Sequence, residues 1–218
     1  MRKWQIIRAA EFRRHVHRHA YAALVLDGSY EEAGDLGRMR VGAGDVLLHD
    51  CFNAHLDRFS PAGAVVLNIP ISATLQPGIA RVKDVDAIVR VAKKDLREAA
   101  ALLLAELEFV QCRETDWPDE LATALTRNPS LRLGEWGRMR GISAWALSRG
   151  FKQVFSVSAA SFRARARTRL AWKAIRSTGE GLVTVAARLG FSDQAHMSRC
   201  VKAMTGEPPL AWRSAFCK

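Results

Sequence analysis

The chain has 218 residues and a formal net charge of +11, with 49% hydrophobic and 25% charged residues. These proportions are those of packed globular domains, so a wholly disordered chain is excluded, and the length suffices for one large domain or two smaller ones. We expect no membrane-spanning segment, because no continuous apolar stretch approaches the roughly 20 residues that cross a bilayer. We expect no signal peptide either, because Arg8, Glu11 and Arg13 interrupt the N-terminal segment.

The spacing of the cysteines bears on the cellular compartment. The four cysteines are scattered and form no C-x-x-C pair: Cys51, Cys112, Cys200 and Cys217. Scattered thiols are typical of a reducing environment rather than of a disulfide framework or a zinc ribbon. The sequence therefore predicts a cytoplasmic protein with no membrane partner.

The positive charge is concentrated in the second half of the chain. Residues 113–218 contain 18 basic and 8 acidic residues, whereas residues 1–112 contain 15 and 14. A strongly cationic half indicates a polyanionic partner, with nucleic acid favoured over an anionic membrane surface. A solvated basic surface without a partner is the alternative that charge by itself leaves open.

Residues 4–80 contain short apolar runs separated by turn-forming residues. The runs lie at 22–26, 46–48 and 64–69, and the predicted turns include Asp27-Gly28 and Pro61-Ala62-Gly63. Apolar runs of this length, broken by Gly, Pro and Asp, are typical of a small antiparallel sandwich or barrel. We therefore predict an N-terminal β domain over residues 1–80.

The pattern becomes helical at residues 84–111. Apolar side chains recur at three- and four-residue steps from Val85 to Leu107, with charged residues between them. This periodicity predicts one amphipathic helix of about 25 residues within a helical linker at 81–113. Its apolar face packs either on the chain's own sheet or on a second copy of the chain, so a homodimer is one of two interpretations.

Residues 114–218 are predicted to be all helical. Helices are expected at 117–128, 133–140, 143–155, 159–177, 182–189 and 193–204. Two pairs of them have helix-turn-helix spacing, joined at Gly141-Ile142-Ser143 and, 49 residues later, at Gly190-Phe191-Ser192, with Ser192 or Asp193 capping the helix that follows. In each turn the glycine favours a left-handed backbone, and the apolar residue after it fills the angle between the helices. The spacing indicates an internal repeat of one motif.

The second helix of each pair carries an apolar and a polar face. The outward-facing sets are Ala144, Trp145, Ser148, Arg149 and Lys152 in the first unit and Gln194, Ala195, His196, Arg199 and Lys202 in the second. Arg, Gln and Ser side chains hydrogen-bond to base edges in the major groove, and apolar atoms of Trp or Ala contact thymine methyl groups. A solvated polar face explains any one of these residues, but two such faces within one cationic domain favour base recognition.

A long basic helix is predicted between the two units. Residues 159–177 place six basic side chains among apolar ones, and a helix of this length extends roughly 28 Å. Because neighbouring major grooves on one face of DNA lie about 34 Å apart, such a helix can hold both recognition helices near adjacent grooves. Arg165 of this helix, together with Lys152 and Lys202, is a candidate for phosphate contacts.

Two segments carry a family resemblance. Residues 189–199 read LGFSDQAHMSR and are followed by Lys202, Gly206, Pro209 and Trp212-Arg213, and residues 143–152 of the first unit read SAWALSRGFK. With this spacing, residues 118–213 resemble the DNA-binding domain of the AraC/XylS family of bacterial transcription regulators. The resemblance implies that seven positions face the bases: Trp145, Ser148, Arg149, Gln194, Ala195, His196 and Arg199. It also implies activation of transcription through contact with RNA polymerase. Two positions depart from the family, since Ser156 replaces its usual glycine and Ala159 a common proline.

Histidines in the N-terminal half carry a second resemblance. His15, His17 and His19 precede the first apolar run, and His55 follows the second. This half resembles the cupin-like sensor domain that often accompanies such regulators. In enzymatic cupins an H-x-H pair, a glutamate and a later histidine bind a metal, so the resemblance implies that His17, His19 and His55 supply imidazoles, which suit Zn, Fe, Ni or Cu.

The expected glutamate is missing, because residues 21–23 are Tyr-Ala-Ala. The favoured expectation is therefore a vestigial or small-ligand pocket for an effector, without a cofactor, and the metal site is the alternative.

The sequence as a whole predicts an α+β multidomain protein that is not an enzyme. It consists of a small β-barrel or jelly-roll sensor domain (1–80), a helical linker (81–113) and an all-α domain with two helix-turn-helix units (114–218). The leading interpretation is a sequence-specific regulator that reads two adjacent major grooves of double-stranded DNA. A metal-dependent cupin enzyme fused to a DNA-binding domain, and a nonspecific DNA-coating protein, are the alternatives. The leading interpretation predicts that Arg199→Ala weakens binding mainly at one base position, whereas Arg165→Ala weakens binding to all sequences alike.

Overall fold

The computed structural model describes residues 3–8, 10–72, 76–110 and 116–214, and the chain falls into two compact units, Met1–Asp119 and Glu120–Lys218. Within the described residues, Cys51 and Cys200 form no disulfide bond, and the other two cysteines lie outside those residues. Within the described ranges, every helix is too short or too polar to cross a membrane.

The first unit is built on one antiparallel sheet, as the sequence predicts. Its strands in the described part of the chain are β1 Trp4–Ile7, β2 Glu11–Val16, β3 Tyr21–Gly34, β4 Gly37–Gly42, β5 Asp45–His49, β6 Ala54–Pro70, β7 Gly78–Arg81 and β8 Glu108–Val110. The order is β1-β6-β3-β5-β7-β8, with β2 also paired to β6 and β4 also paired to β3. The two long strands β3 and β6 therefore pair with each other and with two further strands each.

Two predicted turns are instead bends inside the long strands. The Asp27-Gly28 pair lies within β3, and Pro61-Ala62-Gly63 lies within β6. Gly28 and Gly63 have φ angles of 72° and 77°, and the β3–β6 register shifts on either side of the first bend. The turn prediction is wrong because a left-handed glycine lets each strand bend and then resume its pairing.

Both faces of the sheet are buried, which explains the uninterrupted apolar run at 22–26. Alternate residues of β3 point to opposite faces, as the strand period requires. One face packs Ala22, Leu24, Leu67 and Ile69 against Ile88, Ala92, Ala99 and Leu103 of the following helices. The other face packs Tyr21, Ala23, Val25, Leu47 and Val66 into an interior core.

The segment 84–111 forms two helices, not the single long helix predicted. Helix α1 spans Val85–Lys94, helix α2 spans Leu96–Glu106, and strand β8 follows. The break lies at Asp95, whose extended backbone ends α1 and whose carboxylate accepts hydrogen bonds from the backbone N–H groups of Arg97 (2.6 Å) and Glu98 (3.4 Å). The periodicity continued across a capping residue and therefore concealed the break. The apolar faces of both helices pack on the chain's own sheet, which is one of the two interpretations above.

The helices that follow are α3 Trp117–Arg127, α4 Leu133–Met139, α5 Ala144–Phe155, α6 Ala159–Ser177, α7 Leu182–Arg188, α8 Gln194–Thr205 and α9 Pro209–Ser214. All but α9 were predicted. Phe151 and Phe155 of α5 pack on Phe162 of α6, with ring centroids 5.3 and 5.5 Å apart. Trp172 of α6 meets Trp212 of α9 edge to face at 5.7 Å. These ring contacts fix α6 to α5 and α9.

Candidate nucleic-acid interface and histidine cluster

The two predicted helix-turn-helix units have the same turn geometry. In the first, the Ile142 N–H donates to the Gly137 carbonyl at 2.9 Å, and in the second the Phe191 N–H donates to the Ala186 carbonyl at 3.0 Å. The glycines before these residues, Gly141 and Gly190, have φ angles of 67° and 73°. The internal repeat inferred from spacing is thus present in the backbone.

The caps show where the two units differ. Ser143 caps α5 by accepting from the Ala146 N–H (3.2 Å), whereas Asp193, not Ser192, caps α8 by accepting from the His196 N–H (2.6 Å). The second turn is therefore one residue longer, and positions on α5 and α8 correspond at a separation of 50 residues. The hydrogen bond from the His196 backbone N–H has the largest effect in lowering the pKa of Asp193. A hydrogen bond from the Ser192 side chain and the charge of Arg199 lower this pKa further.

Helix α5 ends in the left-handed backbone that the family resemblance implies, although its sequence departs there. Ser156 has a φ angle of 57°, and Gly206, at the end of α8, has a φ angle of 87°. Helix α6 then begins without the common proline, because Ser158 caps it by accepting from the Ser161 N–H at 3.1 Å. Ser156 thus keeps the loop geometry at a conformational cost that glycine would avoid.

The outer faces of α5 and α8 carry the predicted contact residues. Buried side chains on α5 are Leu147, Phe151 and Phe155, and those on α8 are Met197, Val201 and Thr205. The residues exposed on the opposite faces are Trp145, Ser148, Arg149, Lys152, Gln194, Ala195, Arg199 and Lys202. Arg149 and Arg199 occupy the sixth position of their helices, and Lys152 and Lys202 the ninth. Each helix therefore presents the same pair of cations.

His196 differs from the other predicted base-facing residues. It is half-buried, its Nδ1 lies 3.0 Å from the Ser192 hydroxyl, and its ring packs edge to face on Phe191 at 5.4 Å. The structure therefore ties this side chain to the turn, and its contact with a base stays a prediction.

Several arginines of α6 make contacts within the chain. Arg167 donates to the Gly190 carbonyl (2.7 Å), Arg163 donates to the Leu131 carbonyl (3.3 Å), and Arg169 is buried. The Arg176 guanidinium lies 4.7 Å from the Trp172 ring centroid. Arg165, predicted to contact phosphate, is half-buried with its Nε shielded from solvent. Its phosphate contact stays a prediction, and exposure favours Lys152 and Lys202 for that role.

Comparison with known families identifies the domain that contains both helix-turn-helix units. Residues 136–215 match the family model of a helix-turn-helix domain, a range that begins in α4 and contains the second helix of both units. The chain carries an AraC-type helix-turn-helix domain. A helix-turn-helix domain binds DNA by placing its second helix in the major groove.

Several solved structures resemble parts or all of the chain. The C-terminal domain of AraT, a response regulator from Geobacillus stearothermophilus, is 21% identical, with 48% of this chain and 88% of that chain covered and a TM-score of 0.42. A probable AraC family transcriptional regulator from Rhodopseudomonas palustris is 21% identical over 44% and 93%, with a TM-score of 0.41. ToxT from Vibrio cholerae is 10% identical over 98% of both chains, with a TM-score of 0.45. A comparison with curated proteins finds no match.

A cluster of histidines lies inside the β-sheet unit, Met1–Asp119. The structure brings His17 and His55 together, whereas His19 lies exposed beyond the end of β2, and His15 lies beside the other two. His15 pairs directly with His55 across β2 and β6. His19 lies apart from these histidines because β2 ends at Val16, so strand alternation does not carry from His17 to His19, and its role as a ligand stays a prediction.

Two further residues of the cluster were missed by the sequence analysis. Glu32 of β3 places its carboxylate oxygens 3.4 Å from His49 Nε2 and 4.0 Å from His55 Nδ1. Glu32, His49 and His55 are all buried, and these two nitrogens have no hydrogen-bond partner in the described structure. The glutamate sought next to the H-x-H pair thus arrives from another strand. Only the pairing of β3 with β6 could have revealed it.

Burial governs the charge of this cluster. It lowers the pKa of His49 to about 3 and that of His17 to about 4, with the neighbouring histidines adding to the effect. Burial, with Asp57 and Asp35 nearby, raises the pKa of Glu32 well above its usual range. Burial alone raises the pKa of Asp57 to about 7. His17 and His49 are therefore neutral at pH 7 and keep a nitrogen lone pair free to bind a ligand.

The cluster opens into a small cavity. This cavity has a volume of about 90 Å³, and Phe12, Tyr21, Tyr30 and Phe59 contribute aromatic walls. Sites for drug-sized molecules usually measure about 300–1,000 Å³. A cavity of this volume has room for an ion or a few waters but not for a large organic ligand.

Proposed function

We propose that the protein is a sequence-specific transcription regulator that reads two adjacent major grooves with α5 and α8. The observation that carries this proposal is the repeated pair of exposed cations, Arg149 with Lys152 and Arg199 with Lys202, at matched positions of two equally long helices. Exposed arginines at such positions bind guanine edges, and lysines beyond them bind phosphate.

Helix α6 supports the spacing of the two contacts. It has 19 residues and lies between α5 and the second helix-turn-helix unit, which corresponds to roughly 28 Å of rigid helix. Arg167 holds the Gly190 turn and Arg163 holds the loop at Leu131. These basic residues therefore fix loops of the helical domain as well as adding positive charge. A span of this size suits major grooves about 34 Å apart.

The two half-sites should differ in sequence. Trp145 of α5 corresponds to Ala195 of α8, and Ala144 corresponds to Gln194. A tryptophan contacts thymine methyl groups with a large apolar surface, whereas glutamine hydrogen-bonds to adenine. We therefore expect the preferred DNA site to consist of two unlike halves.

Activation through RNA polymerase, and an effector-responsive first unit, complete the proposal. Both follow from the family resemblance, and the buried polar cluster of the first unit supports the second. Transcription in vitro from a template carrying the selected site tests activation: added protein should raise transcript yield, and a fall would make the protein a repressor.

Selection of bound duplexes from a random pool, followed by footprinting, tests the DNA site itself. The full chain should enrich a family of sequences with two protected segments centred about one helical turn apart. At physiological salt these sites should outcompete random duplex by at least 10³-fold. Equal affinity for random and selected DNA would overturn the proposal in favour of a nonspecific DNA-coating protein.

The cupin-enzyme alternative has less support. Its prerequisite, a histidine cluster with a carboxylate, is present as His15, His17, His55 and Glu32. However, the cavity beside these residues, about 90 Å³, leaves little room for an organic substrate.

A further inference from the structure

The histidine cluster has the composition and spacing of a metal site. One ring nitrogen from each of His15, His17 and His55 lies within 4.8 Å of the other two. Ligand atoms around a tetrahedral ion with metal–nitrogen bonds of about 2.05 Å are about 3.3 Å apart. Small side-chain rotations therefore suffice to bring the three nitrogens onto one ion.

The hydrogen bonds of His15 prepare it as a ligand. Its Nδ1 lies 3.0 Å from the Arg13 carbonyl oxygen, which only accepts, so Nδ1 carries the proton and Nε2 keeps its lone pair. That Nε2 lies 3.0 Å from Nε2 of His17. A second ring nitrogen bonded to a backbone carbonyl is the usual arrangement of a metal-binding histidine, since it fixes the tautomer and the ring orientation.

Behind His55 lies a carboxylate in the position of an outer-shell partner. Glu32 Oε1 is 4.0 Å from His55 Nδ1, which is buried without a hydrogen-bond partner. The two atoms need to approach by about 1 Å to form a hydrogen bond. A carboxylate so placed increases the basicity of its histidine and orients it toward the metal.

The chemistry of the ligands selects the kind of ion. Three imidazoles disfavour Ca²⁺ and Mg²⁺, which prefer oxygen ligands, and favour first-row transition ions. Three protein ligands next to a cavity of about 90 Å³ leave one coordination position for water or a small anion. Half-buried His15 and His17 leave an entry path that the buried His55 alone would not provide.

We propose that His15, His17 and His55 bind one Zn²⁺ ion, with Glu32 positioning His55. The proposal does not depend on the DNA-binding function, because metal content is measured without DNA.

The test is the metal content of the full chain, produced without a polyhistidine tag. Protein stripped by a chelator is dialysed to equilibrium against ZnCl₂, and bound Zn²⁺ is measured by elemental analysis. Wild type should hold about one Zn²⁺ per chain, and His15→Ala and His17→Ala less than about a tenth of that. Co²⁺ as a spectroscopic substitute should give the strong visible absorption of a four-coordinate site in wild type and not in these variants.

His19→Ala is the matched control, since it removes an exposed histidine two residues from His17. It should bind Zn²⁺ like wild type. Glu32→Gln should keep the stoichiometry and weaken affinity about 10- to 100-fold, as loss of an outer-shell partner does. Far-UV circular dichroism and the metal-free melting temperature of His15→Ala should match those of His19→Ala. If His15→Ala does not fold, His15→Gln replaces it.

Three results would overturn the assignment. The first is a wild-type chain that takes up no Zn²⁺ at micromolar free metal. The second is a loss of metal in His19→Ala equal to that in His15→Ala. The third is full binding in His15→Ala with complete loss in Glu32→Gln, which would move the ion to the deeper set of Glu32, His49 and His55.

Discussion

Replacement of the matched arginines, Arg149→Ala and Arg199→Ala, gives a direct measure of base recognition by each unit. Both side chains are exposed, so their truncation should leave the fold intact and remove only contacts to DNA. A bidentate arginine–guanine pair contributes about 1–3 kcal/mol of discrimination. At about 1.4 kcal/mol per tenfold, each variant should bind the selected site roughly 5- to 150-fold more weakly.

The two losses should be independent. Helix α6 separates the two recognition helices along the chain and is about 28 Å long, and effects more than about 10 Å apart usually add. The double variant should therefore lose the sum of the two free energies, until its affinity reaches that for random duplex. Replacement of the contacted guanine in one half-site should abolish the effect of one arginine variant and leave the other unchanged.

Fluorescence anisotropy at fixed salt, with the selected site and with random duplex, measures these effects. Arg199→Lys keeps the charge but not the bidentate geometry, so it should keep affinity for random duplex and lose discrimination. Arg188→Ala is a charge-matched control, because its guanidinium is already paired with Glu180 at 2.7 Å. If Arg199→Ala weakened selected and random DNA by the same factor, α8 would not read bases.

The remaining predictions concern stability. Ser143→Ala removes the cap of α5 and should cost about 1 kcal/mol in urea unfolding, while Ser143→Gly should cost only a few tenths. Asp193 has a lowered pKa and therefore stabilises the folded state above its usual pKa of 3.8, an effect lost as pH falls through the lowered value. Acidification below pH 4 should lower the melting temperature of wild type more than that of Asp193→Asn, which keeps a capping side chain; equal losses would refute the effect. Gly141→Ala meets open space and should cost only the ~1–2 kcal/mol of a left-handed backbone, whereas the Cβ of Gly63→Ala would lie 2.1 Å from the Ile7 carbonyl oxygen. Gly63→Ala should thus shift the unfolding midpoint further, and a smaller shift than that of Gly141→Ala would contradict the packing at the β6 bend.

Much of the helical domain, Glu120–Lys218, was predictable because its sequence signals are local. Gly141 and Gly190 recur at a fixed spacing, and the exposed and buried faces of α5 and α8 follow from helical periodicity. What escaped prediction there was the use of the α6 arginines. Arg163 and Arg167 contact carbonyls 32 and 23 residues away in sequence, and no local pattern reports such a contact.

In the first unit the sequence by itself determined that a β domain is present and which residue types it offers. The tertiary structure decided where strands bend, that the segment after them is two helices, and which histidines meet. His15 joins His55 through the register of β2 and β6, and Glu32 joins them through the pairing of β3 with β6. Neighbours in a helix are fixed by spacing along the chain, whereas neighbours in a sheet are fixed by strand register. A register is set by the packing of the whole domain, and for that reason the composition of the histidine cluster could be read only from the folded chain.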